Sequence, residues 1–138
     1  MSLEIILVTR EDVPYWEDSR AVHFGDIDPY EWESLLFKDS NIMTYFEFTA
    51  EDRDGETYDD YYSNLISEME AKFPLIVRVK DYYKDAVFLN SELSGLIQEI
   101  ESLKKVVRYK ESRDFLDQLL GASKAALNSN AGIRLVAD

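Results

Sequence analysis

One imidazole and many carboxylates are the groups in this chain best suited to acid–base chemistry. His23 is the single histidine, there is no cysteine, and 28 of the 138 residues are acidic. His23 stands near Asp26, Asp28 and Glu31, and an imidazole paired with a carboxylate titrates near neutral pH, as a general base should. Set against this, a lone histidine at the end of a strand is more often a partly buried structural residue. The lack of cysteine excludes a disulfide framework, a thiolate zinc site and a thiol nucleophile, and a single histidine excludes a two-histidine metal site. Asp52, Asp54, Gly55 and Glu56 invite a calcium reading. Aligned on the glycine, however, the loop begins at Ala50 and ends at Tyr61, where acidic ligands are required. A solvated turn is the better reading, with no metal and no cofactor expected. No nucleophile elbow, phosphate-cradling glycine loop or dinucleotide fingerprint occurs, and Ser102 and Lys105 form a Ser-x-x-Lys string without its companion motifs. A small enzyme with a site near His23 and Asp26 is therefore the lesser reading.

Association is better provided for. The formal charge is −13, and it is unevenly spread: residues 1–72 hold 19 acids and 5 bases, whereas residues 73–138 hold 9 acids and 10 bases. The whole excess thus lies in the first half. Such a surface repels nucleic acid and anionic membrane and steers a basic protein toward itself; the blander reading is that acidity only keeps the domain soluble. Tyr58, Tyr61, Tyr62, Tyr82 and Tyr83 fall among Asp52, Asp54, Glu56, Asp59 and Asp60. Tyrosine offers contact area and the acids offer choice of partner, so Asp52, Asp54, Glu56, Asp59, Asp60, Tyr61, Tyr82 and Tyr83 are the expected partner-binding residues. The competing reading places some of these tyrosines in the core.

These residues need a scaffold, and the length suits one domain spanning residues 1–138 with its own core. The spacing of Tyr58, Tyr61, Tyr62, Leu65, Ile66, Met69 and Phe73 predicts a helix over 57–72, closed by Pro74. Leu93, Leu96, Ile97, Ile100 and Leu103 predict another over 91–105, with Asn90 or Ser91 as its cap. A stripe from Phe115 to Leu127 predicts a third over 112–127, capped by Ser112. Asp28 followed by Pro29 signals a helix over 29–38 with Trp32, Leu35 and Leu36 inward. Strands are expected at 3–8, 20–24, 41–49, 75–79, 86–89 and, as an edge, 133–136. Residues 25–29 and 50–56 read as a turn and a polar loop, and Tyr15 and Trp16 as cover for one edge of the core. The fold class is α+β: a mainly antiparallel sheet covered by about four helices in a single layer on one face.

The order Phe73-Pro74, a strand, Tyr82-Tyr83, then a helix carrying Leu93, Glu99, Ile100 and Leu103 resembles the layout of some small bacterial immunity proteins of polymorphic-toxin systems. The likeness spans the middle third of the chain, and its residues are ordinary fold residues. It implies a cytoplasmic protein that binds and blocks a cognate toxin, often a nuclease with a basic active site. Such proteins act by occlusion, so no catalytic residue is carried over. The leading expectation is a non-enzymatic acidic inhibitor of a basic partner, with no nucleic acid or membrane involved. A self-associating adaptor, a homodimer included, is the alternative. No apolar run reaches the length of a bilayer span and no basic-then-apolar leader is expected.

Overall fold

The computed structural model describes residues 2–54, 58–80 and 84–137. Four strands form an antiparallel sheet in the order β2-β1-β4-β3. They are β1 (Leu3–Val8), β2 (Val22–Ile27), β3 (Ala86–Phe88) and β4 (Gly132–Ala137). The helices are α1 (Pro29–Phe37), α2 (Ser40–Tyr45), α3 (Ala50–Asp54), α4 (Tyr58–Lys72), α5 (Leu93–Lys104) and α6 (Lys110–Asn128). The α+β class and the antiparallel sheet expected from the sequence are both present.

Strand alternation builds the core. Ile5 lies opposite Leu135 and Leu7 opposite Ile133, while Ala86 and Phe88 continue the same two rows on β3. All six side chains are buried, as residues two apart on one sheet face must be once that face is covered. The cover is α6, whose Phe115, Leu116, Leu119, Ala122 and Ala126 are fully enclosed and which packs on β1, β2 and β4 between α1 and α5. Ile6 and Val8 point to the opposite face yet are also buried. Residues 9–21 shield that side: Arg134 Nη2 donates to the Val13 carbonyl at 2.9 Å. Asp18 gathers the segment, accepting from Thr9 N (2.6 Å), Thr9 Oγ1 (2.8 Å), Arg10 N (3.1 Å) and Arg20 N (3.0 Å).

Several expectations need correction. Residues 41–49 are not a strand: α2 occupies Ser40–Tyr45 and Glu47 takes a positive φ of 64°. Asp39 decides this by capping α2, its carboxylate accepting from Asn41 N at 3.1 Å, so that Ile42 and Phe46, four apart, share a buried helical face. Residues 75–79 are not a strand either. Ile76–Lys80 is a 3-10 turn, because the Glu99 carboxylate on α5 takes the Leu75 and Ile76 amides at 3.0–3.2 Å, drawing those amides away from a strand ladder. Residues 25–27 continue β2 rather than turn, Ala50–Asp54 is helical rather than loop, and β4 is interior rather than an edge. Trp16 is 72% exposed and covers no core. Ser112 is no cap: it is buried inside α6, which starts after Tyr109. Neither Asn90 nor Ser91 caps α5 through a side chain; the Glu92 carboxylate accepts from Leu89 N at 3.0 Å, while Asn90 Nδ2 donates to the Ala131 carbonyl at 2.8 Å.

Candidate functional site

The local chemistry of α1 begins the site. Asp28 accepts from Tyr30 N at 2.9 Å, which fixes the first helical turn as the sequence implies and sets Glu31 one turn in. Across from it, α6 presents Asp114, Asp117 and Gln118, which share a helical face by their three- and four-residue spacing. The strand β2 supplies Asp26. Helix and strand meet closely here: a Cβ on Gly25 would lie 2.2 Å from Gln118 Nε2, and one on Gly121 would lie 3.4 Å from Phe24 Cζ. A Cβ on Gly25 would displace the Gln118 amide, the end of a flexible side chain, whereas one on Gly121 would make ordinary van der Waals contact with Phe24.

The result is an open depression of about 420 Å³ lined by Asp26, Glu31, Asp114, Asp117 and Gln118. Its field is negative. Burial first, then the neighbouring charges of Asp28, Asp114 and Glu111, push the Glu31 carboxyl above its usual range, with Lys110 opposing. Two of the acids have basic companions, Asp114 with Lys110 at 2.8 Å and Asp117 with Lys104 at 2.5 Å. Both lysines are at least a third exposed, so each pair is a weakly held surface contact. Tyr30, 74% exposed, stands on the α1 turn between Asp28 and Glu31.

The structure sorts the expected site residues unevenly. Tyr61 belongs to the core, 3% exposed; its hydroxyl donates to the Leu36 carbonyl at 3.0 Å, and burial raises its titration while Arg53 opposes. It is not a surface contact. Asp52 is exposed, but its carboxylate folds back to accept from Thr49 N (2.6 Å) and Thr49 Oγ1 (2.9 Å) at the start of α3. That backbone bond and then the hydroxyl bond hold its carboxyl below the ordinary value. Asp60 is exposed on α4. Glu56, Tyr82 and Tyr83 lie outside the described residues, as do the side chains of Asp54 and Asp59.

His23 Nε2 is 3.5 Å from Asp26 Oδ1, with both side chains more than half exposed. A contact that long and that open to water lacks the enclosure that tunes a general base. Among the described residues no group of three or more histidine or acidic side chains is placed to hold a metal ion, and no helix is long and apolar enough to cross a membrane. Asp114, Asp117 and Gln118 escape sequence reasoning, because the polar face of a long amphipathic helix looks solvated wherever it points. No protein-family model, curated protein or solved structure matches the chain.

Proposed function

We propose that this is a non-enzymatic binding protein of the immunity type, whose acidic face occludes a basic protein partner. The observation that carries the reading is the convergence of Asp26 and Glu31, from the first half of the chain, with Asp114 and Asp117 from the second, around one open depression. Carboxylates held together this way present a standing negative potential that attracts lysine and arginine from a distance and selects against acidic partners. The half-exposed His23–Asp26 pair gives the enzymatic alternative little support.

The test is co-purification from the native host at low and high salt, using the intact chain and a variant with Asp26→Asn, Glu31→Gln, Asp114→Asn and Asp117→Asn. The expected result is a basic partner held in a stoichiometric complex, released by salt, lost in the variant, and blocked in its own activity while bound. A partner held equally well at both salt levels and by both proteins overturns the reading.

A further inference from the structure

We propose that the partner's contact is an extended, lysine- or arginine-bearing segment that joins the free edge of β2 as an added strand and sets its basic side chains at the acidic cleft. This rests on the acidic docking reading above and specifies its chemistry. The two edges of the sheet are treated differently. At β3, only three residues long, Arg78 Nη1 donates to the Val87 carbonyl at 2.9 Å and the Ile76–Lys80 turn packs alongside. That edge is closed. At β2, six residues long, the backbone pairs with β1 and, among the described residues, with nothing else. Val22 and Phe24 stand 56% and 38% exposed on it. An unshielded edge of that length is a template for another strand.

Charge selects the occupant. Glu4 and Asp26 are directly opposite one another on β1 and β2, and like charges in that position destabilise a sheet. Of the two, Asp26 also lines the cleft, with Glu31, Asp114 and Asp117. A second copy of the chain would bring its own Asp26 against this edge and add to the repulsion. A basic strand relieves it, and the period of two along a strand sends alternate side chains to the two faces, one set toward Val22, Gly25 and the α6 side of the cleft and the other toward Glu4 and Asp26.

The probe is a short synthetic peptide alternating lysine and valine, compared with its fully N-methylated form, which keeps charge and side chains but has no amide hydrogens. Both are titrated at low ionic strength into the isotope-labelled full chain, with amide exchange followed by NMR. The expected result is slowed exchange along Val22–Ile27 and an affinity reduced about ten-fold or more by methylation, since several backbone bonds of about 1 kcal/mol each are lost. Asp26→Asn should also weaken the unmethylated peptide, without lowering the thermal midpoint of the protein. Equal binding of the two peptides, with shifts at the cleft acids alone, overturns strand addition and leaves acidic docking standing. Binding of neither peptide overturns both. Concentration-dependent protection of Val22–Ile27 without peptide names a second copy as the occupant and overturns the proposal.

Discussion

Replacing Asp39 should be among the most damaging single polar substitutions in this chain. Its side chain is buried and serves two places at once. One oxygen accepts from Asn41 N at 3.1 Å to cap α2. The other accepts from Arg108 N and Tyr109 N, both at 2.9 Å, where the chain enters α6. Asp39→Ala forfeits a cap worth about 1 kcal/mol. It also forfeits two amide bonds to a charged acceptor, counted at about 1 to 1.5 kcal/mol each because Arg108 and Tyr109 are exposed enough for water to replace part of the loss. The expected cost is about 3 to 4 kcal/mol, and Asp39→Asn, which keeps one acceptor oxygen, should cost about half. Urea denaturation at neutral pH reads this as a lowered midpoint at constant slope. Because the same junction holds α1 against α6, Asp39→Ala should also let the Glu31 carboxyl titrate closer to its ordinary value, followed by carboxyl-carbon NMR. A loss below about 1 kcal/mol with unchanged slope would refute the reasoning, since water would then satisfy the three amides as well as the carboxylate does.

Burial works against ionisation of Asp18, but its hydrogen bonds from Thr9, Arg20 and Arg10 prevail and hold the carboxyl down, from 3.8 to about 2. A depressed folded value stabilises the protein above the unfolded pKa and is lost as pH falls from 3.8 toward about 2. Asp18→Asn should therefore be less stable at neutral pH and flatter across that acid window in fluorescence-monitored unfolding; superimposable acid limbs would show that the loop is held by other groups. Tyr61→Phe removes the bond to the Leu36 carbonyl and should cost about 1 kcal/mol while leaving partner binding intact, so weakened binding by a normally folded variant would restore Tyr61 to the interface. Ser112 Oγ is buried and has no hydrogen-bond partner among the described residues, and Ser112→Ala should raise stability by about 1 kcal/mol; a lowered melting temperature would mean that the hydroxyl is satisfied after all.

The elements legible in the sequence are those whose periodicity outruns their surroundings. The stripes of α4, α5 and α6 and the Asp28-Pro29 start of α1 are long or chemically specific enough to stand without tertiary help. Residues 41–49 fail because Ile42, Thr44, Phe46 and Phe48 alternate by accident of composition, while the deciding signal, Asp39, sits just outside the window. At 75–79 the β-branched run is overruled by Glu99, 23 and 24 residues away. Glu99 belongs to the likeness with immunity proteins, and here its carboxylate has a plain structural task. It titrates above its usual range because burial outweighs the two amide bonds and Arg78. For the site, the sequence offers Asp26 and Glu31 only as acid–base companions of His23, and the partner-binding residues it points to lie instead between Asp52 and Tyr61 and at Tyr82 and Tyr83. Asp114 and Asp117 are brought to them by the docking of α6, which no local pattern encodes. The uneven charge of the two halves is real along the chain, yet in space the acidic cleft draws on both.

The two central strands, β1 and β4, come from opposite ends of the described chain, Leu3 lying opposite Ala137 and Val8 opposite Gly132. Bringing segments this distant together costs roughly 4 kcal/mol of chain entropy, from the logarithmic dependence on loop length. Most of the polypeptide must therefore be threaded before the middle of the sheet can close, which favours slow, late assembly. The same geometry seats both ends side by side, so a short linker joining them and new ends opened elsewhere should yield a circular permutant with an unchanged sheet.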